Sequence, residues 1–427
     1  MIELSKYYKK SLISIWYSNP RLKQIIGLFS VNLIGIPIGI ITSIALTRYL
    51  GPDGFGDYKF IFSIFNFAII IFTFGFFQAG NRALVLNHKP QTAREYYGTE
   101  LIITGALFII MSTFLIFYGL YDQNLHEKNL TKTFFLIIPF GWIFLLSMYF
   151  ETLFHADNRI RMLAQVRLYP KIGFLILAIV IYFAFANLKV DRLKLVWFIY
   201  LFTEVVVYTI ILIKLKISFQ NLQKRLLEIW HYNQSFGFNV YLGSLFAIGL
   251  SRFTEILISY YGIDNTGVGF YSLALTFTLP LSLIPNTIAT THYKDFATLK
   301  HIPIKVLRFT TYLSLVSLIG IWLIVPLFVN YFYGSFFKSV IPLNFIVSIG
   351  VIAHGFGDLY NKYLGANGQG VILRNSSFFV GVSMLLFSLI LIPKWGEYGA
   401  AIAKMITGFV YLIVIIYFYY RFIKTKK

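Results

Sequence analysis

The sequence predicts an all-α integral membrane protein of about twelve transmembrane helices arranged as two six-helix lobes. Three observations predict it: an excess of apolar residues, a one-sided distribution of basic charge, and a repeat between the two halves. Of 427 residues, 58% are hydrophobic and 13% charged, where a soluble domain carries roughly 25% charged residues. The apolar complement is enough for twelve membrane helices of about 20 residues each.

Breaks at glycine, proline and charge clusters divide the chain into spans at 22–47, 58–79, 98–118, 133–154, 171–186, 194–214, 237–260, 268–291, 306–330, 339–360, 372–393 and 398–420. The fifth is the shortest, at 16 residues. Ahead of them, in 1–21, Leu4, Tyr8, Leu12, Ile15 and Trp16 recur at helical spacing, with Lys6, Lys9 and Lys10 elsewhere on the wheel. That pattern predicts a cytoplasmic interfacial helix, not a cleavable signal. A similar stripe, Phe219, Leu222, Leu226, Ile229 and Trp230, lies in 216–236 and predicts a cytoplasmic surface helix. It joins an N-lobe at 22–215 to a C-lobe at 237–421, and 422–427 form a basic tail.

A net charge of +20 would suggest nucleic acid in a soluble protein. Here topology absorbs it. With both termini in the cytoplasm, 26 Lys and Arg fall on that side and 9 on the other, the asymmetry of the positive-inside rule. No nucleic-acid partner is needed, and membrane lipids are the natural contacts of the basic loops.

The halves repeat at an offset near 210. Tyr49-Leu50-Gly51-Pro52-Asp53 before Gly56-Asp57-Tyr58 is echoed by Tyr261-Gly262-Ile263-Asp264 before Gly269-Phe270-Tyr271. Ala156-Asp157-Asn158-Arg159 is echoed by Ala366-Asn367-Gly368-Gln369. Six spans per half give both halves the same direction through the bilayer, an arrangement that transporters use for alternating access across a cavity between the repeats.

The run Leu46-Thr47-Arg48-Tyr49-Leu50-Gly51-Pro52-Asp53-Gly54-Phe55-Gly56-Asp57-Tyr58 resembles the signature of bacterial polysaccharide flippases. These are the O-antigen or Wzx-like exporters of the multidrug/oligosaccharidyl-lipid/polysaccharide (MOP) superfamily. Phe74-Gly75-Phe76-Phe77-Gln78-Ala79-Gly80-Asn81-Arg82 is similar to that family's exit from span two, and Gly262–Leu273 with Pro280 and Pro285 resembles the second-half counterpart. The resemblance implies two lobes forming a V, like MATE exporters. It also implies a cargo of undecaprenyl-pyrophosphate-linked oligosaccharide, such as an O-antigen repeat unit, carried from the cytoplasmic to the periplasmic leaflet of the bacterial inner membrane. A polysaccharide polymerase and chain-length machinery would be its working partners. The chain departs from the family in span seven, where Arg252 and Glu255 stand at shifted positions in place of an aspartate.

Charges inside spans are costly and are candidates for function. Arg252 and Lys404 are expected to face the central cleft and attract a pyrophosphate, Arg with a bidentate fork and Lys as a point charge. The alternative pairs Arg252 with Glu255 across one turn and lets Lys404 snorkel. Glu204, near mid-membrane, either binds a coupling proton or is hydrogen-bonded within its lobe. Asn32, Asn66 and Asn239 are candidates for sugar hydroxyls or for helix–helix bonds, and Arg82 for meeting the incoming pyrophosphate.

Other chemistries lack their residues. The chain has no cysteine, hence no disulfide, thiolate nucleophile or Cys-ligated metal. There is no HExxH and no P-loop, and the two G-x-x-G-x-G runs follow no strand. No cofactor is expected, and a coupling ion is left open between H+ and Na+. A MATE-type drug or cation antiporter is the alternative function, with a membrane polymerase or glycosyltransferase behind it; short outer loops without paired carboxylates argue against an enzyme.

Overall fold

The computed structural model describes residues 20–87, 89–184 and 191–425. The expected helix over 1–21 is therefore outside the described residues but for its last two positions, as is the side chain of Asn32. Helices α1 (Pro20–Phe72), α2 (Phe76–Leu86), α3 (Pro90–Tyr121), α4 (Gln123–Glu127), α5 (Thr131–Ile137), α6 (Trp142–Ala156), α7 (Ile160–Ala184) and α8 (Arg192–Leu215) make the first half. After α9 (Leu222–Tyr232) the second half runs α10 (Phe238–Ser244), α11 (Leu250–Tyr261), α12 (Thr266–Thr291), α13 (Tyr293–Thr298), α14 (Ile304–Phe328), α15 (Val340–Ala366) and α16 (Gly370–Thr425). No strand occurs among the described residues.

Two of these helices are broken by a glycine whose backbone is not helical: α1 at Gly51 (φ 75°, ψ 179°) and α16 at Gly396 (φ 52°, ψ −130°). Both conformations suit glycine because it has no Cβ to clash. Each break falls between two expected spans. Among the described residues, eight helices are long and apolar enough to cross a membrane, or nine if Thr131–Phe140 and Trp142–Ala156, bent by 45°, are one span. Every expected span overlaps helix, while twelve crossings as a count goes beyond that test.

The seventh expected span is not one regular helix. Leu245–Gly249 is a π-turn between α10 and α11, and Asn233–Gly237 is another just before α10. The fifth is longer than its apolar run: α7 extends from Ile160, through Pro170, with Leu163, Val166 and Pro170 buried while Arg161 and Lys171 stay exposed.

The core of the first lobe is aromatic. Trp197 is fully buried, 5.1 Å from the Tyr58 ring, and Phe65 stacks on Phe144 at 5.0 Å. Between membrane helices such packing supplies the association energy that the hydrophobic effect supplies in water. Helix α9 lies on the first lobe. Arg225 joins Glu95 at 2.8 Å and Glu228 at 2.7 Å, and Tyr96 donates to Glu228 at 2.6 Å. Of its expected apolar stripe, Ile229 is buried, whereas Phe219 and Trp230 are exposed.

The lobes meet along two seams, the second half of α1 against α11 and against α12. On the first, Phe67 and Phe253 rings pack at 5.3 Å; nearby, Tyr241 of α10 donates to the Ile71 carbonyl at 2.7 Å. Ser63 donates to Glu255 across the same seam. Glu255 is thus engaged by the other lobe, and no ion pair joins it to Arg252 among the described residues.

Candidate translocation cavity

Between the lobes lies a cavity of about 610 Å³, walled by both halves of α1, by α7 and α8, and by α12. Two lysines line it, Lys59 from the second half of α1 and Lys171 from α7. Around them stand Thr42, Ser43, Thr276 and Ser282, with Phe62, Phe174 and Tyr200 as aromatic wall. Lys59 lies over the Phe55 ring at 5.4 Å, and the charges of Glu255 and Arg252 act on it. Lys171 feels Arg167 and Glu204. A pair of ammonium groups with hydroxyls in a partly aromatic cavity is chemistry for an anionic, hydroxylated solute.

The residues named from sequence are distributed differently. Arg252 is exposed and Lys404 half-buried. The two interact with each other electrostatically, and Lys404 also with Asp358, but neither is among the lining residues of the cavity. Glu204 stands behind Lys171 beside the Tyr200 and Tyr208 hydroxyls, with Oε2 buried and unpartnered. Asn66 donates to the Phe62 carbonyl of its own helix at 2.7 Å. Arg82 lies on α2 with its guanidinium 5.7 Å from the Phe236 ring. Asn239 lines a different cleft, between α10 and α16. No cluster able to hold a metal ion occurs among the described residues.

Lys59 and Lys171 stood at the edges of expected spans, where a lysine reads as an interface anchor. The feature that separates them is the neighbourhood of Lys171, which follows Pro170 inside a helix that has already run eleven residues from Ile160.

At the end of the molecule away from α9, hydrogen bonds close the cavity from lobe to lobe. Asn265, fully buried, donates to Asp57 at 2.7 Å and accepts from Ser259 at 2.5 Å and Lys128 at 3.1 Å. Asn124 donates to Ser259 at 2.8 Å, and Tyr260 donates to Asp122. Farther round, Arg48 Nε donates to the Phe332 carbonyl at 2.8 Å, and Ser43 and Tyr333 share a bond of 2.6 Å. Gly56 makes this closure possible: a Cβ there would lie 1.9 Å from the Asn265 carbonyl oxygen. The Gly51–Gly56 run thus serves first as a chain break and then as the point of lobe contact.

The fold is that of known transporters. An inward-facing multidrug resistance MATE family transporter of the MOP superfamily superposes with TM-score 0.70 at 15% identity, covering 94% of this chain and 98% of that one. Lipid II flippase MurJ in an inward closed conformation gives 0.68 at 16%, covering 91% and 87%. An outward-facing MATE family transporter gives 0.58 at 14%, covering 94% and 96%. No curated protein sequence matches the chain. A family profile described as polysaccharide biosynthesis protein matches residues 21–293. With that profile spanning most of the chain, on a MATE-like fold, this protein belongs to the polysaccharide biosynthesis protein family.

Proposed function

We propose that this multi-pass membrane protein flips a polyprenyl-pyrophosphate-linked oligosaccharide, an O-antigen or related repeat unit, from the cytoplasmic to the periplasmic leaflet of a bacterial inner membrane. The observation that carries the reading is the pair Lys59 and Lys171 in a cavity between two lobes. A pyrophosphate bound there exchanges its water for two ammonium groups in a low-dielectric site, where charge–charge interactions gain strength. The wall hydroxyls offer partners to sugar. The positive lining runs against a drug-like cation as substrate.

The N- and C-termini and α9 lie on the cytoplasmic side in this reading, as the basic charge asymmetry supports. The closure at Asp57, Lys128, Ser259 and Asn265 then faces the periplasm. Transport requires it to part while the linker end closes, so that the headgroup is exposed to one side at a time. The protein has no bond-making role; a polymerase would act on the delivered unit.

The test is glycan export in cells carrying Lys59→Gln, Lys171→Gln and the double variant, with protein level in the membrane as control. A charged hydrogen bond is worth about 1.5–3 kcal/mol, so each single variant is expected to lose roughly tenfold or more in transport efficiency, with Lys→Arg retaining part of it. Undiminished export by the double variant refutes the proposal.

A further inference from the structure

A second cleft, about 250 Å³, opens at the linker end of the C-lobe. Asn239, Gly243 and Phe246 form one wall, and Arg374, Asn375 and Phe378 form the other. The spacing of each set puts its members on one helical face. Phe246 lies in the π-turn Leu245–Gly249, and π-turns concentrate at functional sites because the wider turn re-aims side chains. The Phe246 and Phe378 rings meet at 5.1 Å and 61°, forming an apolar floor. A Cβ on Gly243 would meet nothing within 4 Å, so a side chain there would fill the cleft without touching a neighbour.

The polar groups are free. Arg374 is exposed and makes no ion pair or hydrogen bond among the described residues, and the side-chain amides of Asn239 and Asn375 make none either. An unpaired guanidinium beside two amides and two rings matches a phosphorylated sugar: the fork takes phosphate oxygens, the amides take hydroxyls, and a ring covers the apolar face of the sugar. Arg374 lies four residues into α16, about 6 Å from its start. Helices α10 and α16 correspond, at the offset near 210, to the first half of α1 and to α7, which help wall the central cavity, although Arg374 itself falls opposite Ala164 and Lys171 opposite Gly381.

We propose that this cleft is a loading site, which takes the phosphate and first sugar of the lipid-linked substrate at the linker face before the headgroup enters the central cavity. This rests on the flippase reading. An anionic phospholipid headgroup offers the same phosphate chemistry, and the experiment separates the two.

The chain lacks cysteine, so Leu242→Cys reports on this cleft and Thr276→Cys on the central cavity. The full-length protein in nanodiscs is labelled with a maleimide in the presence of farnesyl-pyrophosphoryl-N-acetylglucosamine, farnesyl pyrophosphate or added phosphatidylglycerol. The sugar-bearing probe is expected to slow labelling at Leu242→Cys at least fivefold. Arg374→Gln should abolish this protection, and Phe378→Leu should reduce it for the sugar-bearing probe alone. In export assays Arg374→Gln should raise KM about tenfold and leave kcat near its parent value. Equal protection by phosphatidylglycerol makes the cleft a phospholipid site and overturns the proposal, as does no protection at all or an unchanged KM. Failure of the flippase reading is read separately, from absent protection at Thr276→Cys together with normal export by the Lys59 and Lys171 variants.

Discussion

Replacing Gly56 by alanine sets a methyl group against the backbone that the closed end needs. The added Cβ would sit 1.9 Å from the Asn265 carbonyl oxygen, where ordinary contact begins near about 3.5 Å. The start of α12 must retreat by roughly 1.5 Å, which carries the bonds from Asn265 to Asp57 and from Lys128 to Asn265, at 2.7 and 3.1 Å, beyond hydrogen-bonding reach. Both involve a charged group, and such bonds contribute about 1.5–3 kcal/mol each. Losing them removes about 3–6 kcal/mol from the closed state, which shifts the closed-to-open ratio by a hundredfold or more. In a protein without cysteine, Thr276→Cys in the cavity wall is labelled by a membrane-impermeant maleimide added opposite the linker. Labelling should be slow in the parent and about a hundredfold faster with Gly56→Ala. Gly39→Ala, whose Cβ meets nothing within 4 Å, serves as the control. Equal rates for Gly56→Ala and its parent would refute the claim that this contact holds the cavity shut.

Lys128→Met should act in the same direction with smaller effect, about tenfold in the same assay, because Ser259 and Asn265 keep their bond to each other. At the linker, Arg225→Ala leaves Glu95, only 3% exposed, with Asn221 as its remaining donor. The unpaired carboxylate should cost about 2–3 kcal/mol, seen as a lower unfolding temperature in detergent; a loss below about 1 kcal/mol contradicts that. Glu228 gives the pH dependence of the same contact. Burial alone would raise its pKa, but hydrogen bonds from Tyr96 and Arg225 and the Arg225 charge outweigh that and hold it below the usual carboxylate range. A depressed carboxyl stabilises the folded contact above its ordinary pKa, about 4.3, and the contribution disappears as pH falls through the depressed value. The protection of α9 against hydrogen exchange, relative to the intrinsic rate at each pH, should therefore be steady from pH 5 to 8 and fall only below pH 4, and Glu228→Gln should remove the transition.

What could be read from sequence was whatever rests on local patterning. The break at Gly51 was visible because Leu-Gly-Pro-Asp-Gly interrupts an apolar run, and the linker helix because Ile229 sits on a regular stripe. The short fifth span shows where patterning ends. Its helix starts earlier, at Ile160, and carries Arg167 to Glu151 on α6, with Nε and Oε2 at 2.9 Å, so that charge is met by another helix. No window of hydropathy along one helix can register a partner on another. The same holds for Glu255: its i−3 neighbour Arg252 was the obvious partner, yet Ser63 of the other lobe takes it. Lys59 and Lys171 were hidden by resembling their surroundings. A lysine at the end of an apolar run is an anchor or a ligand according to what faces it, and that is decided by lobe packing.

Glu204 is where these two kinds of information meet. The sequence marked it as a lone acid near mid-span, and the structure puts its charge beside Lys171, with Tyr200 and Tyr208 about it. A carboxylate behind a cavity lysine lowers the net positive field felt by a bound anion. Glu204→Gln removes that counter-charge while keeping the volume, so Lys171 should hold a pyrophosphate probe more tightly, by about three- to tenfold if the pair interacts by roughly 0.7–1.4 kcal/mol at an effective dielectric near 20. Tighter holding of the headgroup makes release slower, so export should fall although affinity rises. If instead Glu204 carried a coupling proton, Gln would abolish the pH dependence of export and leave equilibrium binding of the probe near the parent value. Measuring probe affinity and the pH profile of export on the same preparation separates the two. Unaltered affinity would show that Glu204 does not temper Lys171.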